Sequence, residues 1–353
     1  MSNVESFRLR QDSKRDVLDF PPGNTFARLI VVKAIAQLRR STPATEAARL
    51  WPADLLVQRA ASAPATTTTS GWASDLAHKI VKDALDVMGP AAGGAQLLKQ
   101  SVVLTFDGNG QISAPGLVAG AGNAGFVAEG SPIPVRQLAT TTALLQPFKL
   151  AVIGVLSQEM IDSSNAETLI ADVLLRSAAA ALDAQLFGSA AATSAAPAGI
   201  RNGISTTTPS AVTDLWEAVF EDVSNLITAV SAVGGSGPYA LIANAGRAAM
   251  IRARFTVNWQ DFPILQSAAA GNDLICVAPA ALVCALSPDP TIEMANAAEL
   301  HMNDTPQAIA NGGTATPTRS LFQTYAVALK MRWPVTWALR DARGVAWTTP
   351  TWK

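Results

Sequence analysis

The sequence predicts an α+β protein, with helices and antiparallel strands segregated along the chain. Three observations carry this reading. Small and apolar residues recur with helical spacing over 166–186, at 166, 169, 170, 173, 174, 177, 178, 181, 182 and 186. A β-branched, apolar stretch, TTTALLQPFKLAVIGVLS, precedes that helix. The tail alternates with period two, placing Leu321, Gln323, Tyr325, Val327, Leu329, Met331, Trp333, Val335, Trp337 and Leu339 on one face of a long strand.

At 353 residues the chain has room for one sizeable core and for two lobes with extensions. Hydrophobic residues make up 49% and charged ones only 15%, and mean hydropathy is +0.23, which points to apolar surface buried against other chains. A net charge of -1 supplies no global basic field, so nucleic-acid binding is not the default reading.

Taken in order, residues 1 to about 60 form a polar, helix-prone head, with eight Lys or Arg through Arg40 against four acids. Its FARLIVVKAIAQL run (26–38) is too short and too charged to span a membrane and lacks the order of a secretory signal. It reads as an amphipathic helix of a cytosolic product. ASAPATTTTSG (61–71) reads as a linker, and WASDLAHKIVKDALDVM as a helix ended by Gly89-Pro90. SVVLTFDGNGQIS has the pattern of a hairpin turning at 107–110. Pro132 and Pro134 exclude a helix interior from the following segment.

Ser164-Asn165-Ala166-Glu167 matches a capping box for the long helix, and Gly188 closes its far end. Its acids and its one arginine are expected on the face away from the core. A second helix over about 213–233 presents Leu215, Val219, Phe220, Val223, Leu226, Ile227 and Val230 on one face. YALIA (239–243) reads as a strand, with Asn244 capping the next helix, and LICVA and ALVCAL as short β runs.

Chemistry is sparsely supplied. Gly120, Gly122 and Gly125 fit G-x-G-x-x-G as text, but FVAEGSPIP follows where a phosphate-binding helix is required, so a hinge is the better reading and no cofactor is expected. His78 and His301 are the only histidines, and neither has a second ligand at useful spacing, so no metal is expected. No G-x-S-x-G elbow occurs, and Glu129, Glu159 and Asp162 read as ordinary surface acids, so no catalytic residue is assigned. Cys276 and Cys284 read as buried free thiols. Trp333, Trp337, Trp347 and Trp352 place half of the eight tryptophans in the last 21 residues. Packing of the terminal sheet and anchoring of a subunit interface are both open for them.

The run GFVAEGSPIPV, a Thr-rich strand, FKLAVIGVLSQEMIDSS, the long helix and ALDAQLFG resembles the signature run of tailed-bacteriophage major capsid proteins of the Hong Kong 97 type. GIRNGIS (199–205) is similar to that family's short exit after its spine helix, and SLFQTYAVALKMRWPVTWALRD resembles its last strand. The resemblance covers roughly 66–350. It implies a Hong Kong 97-like capsid fold divided into a helical head and linker (1–65, a scaffolding segment or its remnant), an N-terminal arm (66–117), an extended β-hairpin loop (118–149), a peripheral domain with the spine helix (150–211), an axial αβ domain (212–320) and C-terminal strands of the peripheral domain (321–353).

The implied function is structural, not enzymatic. The chain is expected to self-assemble through pentamers and hexamers into an icosahedral virion shell in the bacterial host cytoplasm, around double-stranded DNA contacted non-specifically. Portal, maturation protease and decoration proteins are the implied further partners. Glu129, Pro132, Pro134 and Arg136 on the loop, with Trp333 and Trp337, are the candidate interface residues. Some family members cross-link subunits through a loop lysine. Here 118–148 contains no lysine and Arg136 is its only basic residue, so no isopeptide bond is expected. An encapsulin-like nanocompartment shell is the alternative within the fold, and a soluble nucleotide-binding enzyme is the alternative outside it.

Overall fold

The computed structural model describes residues 25–62, 72–89, 91–106, 110–117, 127, 129, 140–159, 166–234, 238–254, 262–303 and 318–352. In chain order the helices and strands are α1 (Thr25–Arg39), α2 (Pro43–Leu50), α3 (Leu55–Ala61), α4 (Trp72–Met88), α5 (Gly93–Gln100), β1 (Val102–Thr105), β2 (Ile112–Leu117), β3 (Thr140–Leu145) and β4 (Phe148–Ser157). There follow α6 (Ala166–Leu186), α7 (Leu215–Gly234), β5 (Ala240–Ala243), α8 (Ala245–Arg254), β6 (Ile264–Gln266), β7 (Leu274–Val277), β8 (Leu282–Leu286) and β9 (Thr291–Ala295). The last are β10 (Glu299–His301), β11 (Thr318–Ser320), β12 (Ala326–Leu339) and β13 (Val345–Thr348). The chain is an α+β protein in two compact units, one of residues 1–87, 151–178 and 289–333, the other of 88–150, 179–288 and 334–353.

The first unit is organised by α1. The sequence pattern promised one apolar stripe, but Phe26, Ala27, Leu29, Ile30, Val31, Val32, Ala34, Ile35 and Ala36 are all buried. Such a helix is apolar on every side and belongs inside a core, so the amphipathic reading is corrected. The two charges inside it are neutralised in place. Arg28 pairs with Asp54 and lies 5.6 Å over the Trp51 ring, while Lys33 pairs with Asp289 and donates to the Pro290 carbonyl at 2.9 Å.

Helices α2 and α3 fold back on α1. Thr42 caps α2 and Asp54 caps α3, accepting from the amides of Leu56 and Val57 at 3.1 and 3.2 Å. Leu29, Val32, Ala47, Val57 and Ala61 close the small core between the three helices. On another side α1 meets β9, and Phe26 packs on Trp333 with ring centroids 5.2 Å apart. Strand β9 pairs antiparallel with the first half of β12, from Thr291↔Arg332 to Ala295↔Ala328.

The long terminal strand is shorter than its pattern suggested. A turn occupies 321–325, with Leu321 buried but Phe322 80% and Tyr325 63% exposed, and β12 starts only at Ala326. Tyr325 sits at φ +48, and the Gln158 amide donates to its carbonyl at 2.9 Å. From Val327 to Trp337 the expected alternation holds on the buried face.

The second unit has an αβ layer and a β layer. In the first, β5 lies between β6 (parallel) and β7 (antiparallel), and β13 pairs antiparallel with β7. Helices α7 and α8 cover this sheet, with Val219, Val223, Leu226, Val230 and Ile251 packed against Leu241, Ala243, Leu274 and Cys276. Burial of each such aliphatic side chain contributes about 1.5–3 kcal/mol. Asn244 caps α8 as expected, its Oδ1 accepting the Arg247 amide at 2.9 Å. Leu215 and Phe220 depart from the expected face of α7 and are exposed.

The second layer corrects a strand pairing. The predicted hairpin would join β1 to β2, yet β1 pairs parallel with β8 and β2 pairs antiparallel with β3. Strand β8 is buried along its whole length and needs a partner on each edge. It takes β1 on one side and the second half of β12, Val335 to Leu339, on the other. The turn residues 107–109 lie outside the described residues.

Candidate assembly surfaces and the contacts that shape them

Three sets of contacts fix which side chains of the second unit remain available outside. The first centres on Asp183, near the end of α6. The sequence placed this acid on the outer face, but it is buried. Helix α5 begins without a capping side chain of its own, and its first turn carries Gly93-Gly94. Asp183 supplies the missing cap from another helix, accepting from the Gly93 and Gly94 amides at 3.1 and 2.8 Å and from the Ser267 hydroxyl at 2.6 Å. Burial raises its pKa above the ordinary aspartate range, and these three donors offset that only in part. The glycine pair is sterically required, since a Cβ at Gly94 would lie 2.6 Å from Asp183 Oδ1 and one at Gly93 2.8 Å from the Gln266 carbonyl oxygen.

The second set is the GIRNGIS strap. Ala198 and Ile204 offer their carbonyl oxygens to the indole N–H groups of Trp337 and Trp347, both at 2.9 Å. Between them Arg201 lies 5.0 Å over the Trp347 ring, donates to the Phe187 carbonyl at 2.7 Å and pairs with Asp273. Gly199 passes so close to Gly188 that a Cβ there would stand 2.1 Å from its carbonyl oxygen. The run following the long helix is therefore a seat for two C-terminal tryptophans.

In the third set Trp352 donates to Asp222 at 2.8 Å and lies under Arg247, 4.8 Å from its guanidinium. Asp222 also accepts the Ser210 amide at 2.7 Å.

These contacts reassign the candidate interface residues. Trp333 and Trp337 are buried, at 0% and 6% exposure, among residues of their own chain, which leaves them no surface for a neighbour. Glu129 is exposed in a turn. Pro132, Pro134 and Arg136 lie outside the described residues, as does the glycine run 120–125. The available apolar surface is elsewhere. Leu215, Trp216 and Phe220 stand out at the start of α7, at 36%, 42% and 52% exposure, and Phe322 and Tyr325 stand out on the turn before β12. Two signals in the sequence set Trp216 apart from the buried tryptophans: it lies off the apolar face of its helix, and Asp214 and Glu217 flank it.

Reactive chemistry is scarce among the described residues. No group of three His, Cys, Asp or Glu side chains is placed to hold a metal ion. Burial pushes Cys276 and Cys284 up to about 12, which keeps both thiols protonated and inert at neutral pH. No helix is long and apolar enough to cross a membrane among the described residues.

No protein-family model and no curated protein sequence matches this chain. Solved structures do. A chain from Mycobacterium phage Cain is 17% identical, with 73% of this chain and 90% of that one covered at a TM-score of 0.49. A virus-like particle from Pyrococcus furiosus is 14% identical, covering 78% and 98% at 0.47, and the capsid of an empty GTA particle is 15% identical, covering 73% and 89% at 0.46. The chain is similar to phage, virus-like-particle and capsid structures.

Proposed function

We propose that this chain is a capsid shell subunit whose activity is assembly. The observation that carries the reading is the order of elements behind the resemblance in sequence. A 10-residue strand (β4) leads to a 21-residue helix (α6), the GIRNGIS strap follows, then an αβ layer, then a 14-residue strand (β12). That is the order of loop strand, spine helix, exit, axial domain and final peripheral strand in Hong Kong 97-type shells. On this reading 118–149 is the extended loop, 150–211 with 321–353 forms the peripheral domain and 212–320 the axial domain.

Subunits meet head-to-tail around five- and six-fold axes, a heterologous arrangement that closes into rings. Many modest contacts per subunit then hold the shell by multivalency. The shell encloses double-stranded DNA and is built in the host cytoplasm with portal, protease and decoration proteins. Without a lysine in 118–148 the subunits hold one another non-covalently. Boiled, denatured particles should run as single chains, and a covalent ladder on the gel would refute this.

The deciding experiment is expression of the chain, alone and with its neighbouring genes, followed by sizing and negative-stain microscopy. Closed particles are expected. Only monomers to tetramers under all conditions would overturn the shell reading, and particles filled with a cargo enzyme instead of DNA would favour a nanocompartment.

A further inference from the structure

The start of α7 carries an apolar surface of unusual make-up. Leu215, Trp216 and Phe220 are exposed side by side on the helix, Trp216 and Phe220 four residues apart on one face. Asp214 and Glu217 flank them. Asp214 accepts the Glu217 amide at 2.9 Å, and neither carboxylate makes an ion pair among the described residues. The surface is thus bulky, aromatic and acidic.

The same unit carries its complement on α8. The outer side of that helix is low and smooth, with Ala245, Gly246, Ala249 and Ala253 exposed, and Arg252 rises from it. Arg252 donates to the Ile264 carbonyl at 3.0 Å and makes no ion pair among the described residues. Arg247 of this helix is buried on Trp352, so among the described side chains of α8 the exposed positive charge is that of Arg252.

We infer that the α7 surface of one copy docks on the α8 surface of a second copy, with Trp216 on the alanine floor and Arg252 against Asp214, Glu217 and the Trp216 ring. Two different patches of one unit that fit each other make a heterologous contact, the kind that propagates around a ring. Trp and Arg are the residues that carry most energy at such contacts, and an arginine over an indole adds cation–π attraction once water is excluded. Opposite charges set register and suppress wrong pairings. The identity of the partner rests on the shell reading; the complementarity itself does not.

The test is a charge swap in the full chain: Glu217→Arg and Arg252→Glu, alone and combined, with Trp216→Ala alongside. All three positions of change are on the surface, so thermal midpoints and circular dichroism of the unassembled chain should match wild type and thereby exclude misfolding. Each single reversal and Trp216→Ala should lower the assembled fraction at least about tenfold at fixed concentration, because reversal places like charges together. The combined swap should recover most of it. Wild-type assembly in both single reversals overturns the inference, and so does failure of the folded double variant to recover. If wild type forms no particles, the shell reading falls, and sedimentation of the same proteins still decides the contact. Concentration-dependent self-association abolished by the single reversals and restored by the swap upholds it; a wild type that stays monomeric at every concentration overturns it.

Discussion

The aromatic residues of the last strand and those at the start of α7 have opposite fates. Trp333 is shut against Phe26, and Trp337 hangs its N–H on Ala198 behind it. Trp216 stands exposed on a helix whose next turns, at Val219, Val223 and Leu226, are fully committed to the core. Residue type is the same in both places; what differs is whether the chain brings its own surface to the ring. An interface residue is therefore read from what its own chain leaves uncovered, not from clustering of tryptophans along the sequence.

The largest effect expected from breaking the inner set is Trp333→Ala. Emptying a fully buried indole site should cost about 3–5 kcal/mol by urea unfolding, with any loss of assembly following from unfolding. Gly199→Ala attacks the same set indirectly, by forcing the strap that seats Trp337 away from Gly188. A Cβ at 2.1 Å cannot be absorbed without a backbone shift, and a loss of roughly 2–4 kcal/mol is expected. At the other extreme, Trp216→Ala should change unfolding free energy by less than about 0.5 kcal/mol while impairing association. A large stability loss there would erase the distinction between the two sets.

A subtler probe compares two buried carboxylates of opposite sign. Because burial holds the Asp183 pKa above the ordinary aspartate range, the folded chain binds that proton more tightly than the unfolded chain. Stability from Asp183 therefore falls as pH rises from about 4 through its folded pKa, and is level above it. Glu46 is opposite. Burial would raise it, but hydrogen bonds from Ser41 and Arg49 and the charges of Arg49 and Arg39 hold its pKa below the glutamate range. Its contribution is present above that range and fades as pH falls through its folded pKa. Between pH 7 and about 4 wild type should gain on Asp183→Asn, whereas on further acidification it should lose ground against Glu46→Gln. Urea midpoints of the three proteins at each pH check both slopes.

Much of the fold was legible because periodicity reports burial when an element has one covered face. The long helix, the β5–Asn244–α8 unit and the alternation of β12 belong to this class. What the pattern missed has a common physical cause, namely partners distant in sequence. Helix α1 looks amphipathic because Arg28 and Lys33 interrupt it, yet Asp54 and Asp289 neutralise both and let it be covered all round. The hairpin joining β1 to β2 lost to β8, a buried strand 180 residues away that needed an edge partner. Asp183 reads as an outer-face acid until Gly93-Gly94, with no cap of their own, are brought to it. At the candidate surfaces, Glu129 was placed outside as expected, but the exposed tryptophan was not foreseen.

If the chain is the shell subunit proposed above, the covering of α1 also bears on how that shell would be processed. The 61–71 run is where a processing cut would fall between this helical head and the rest of the chain. A cut there would separate two polypeptides without separating two bodies, since the head could leave only by lifting Phe26 off the Trp333 ring and α1 off β9 and by breaking the Lys33–Asp289 pair. Processing at that point would act as a nick, visible as two bands on a denaturing gel, while the native particle kept its mass and the genetically upstream piece stayed on as an internal subunit.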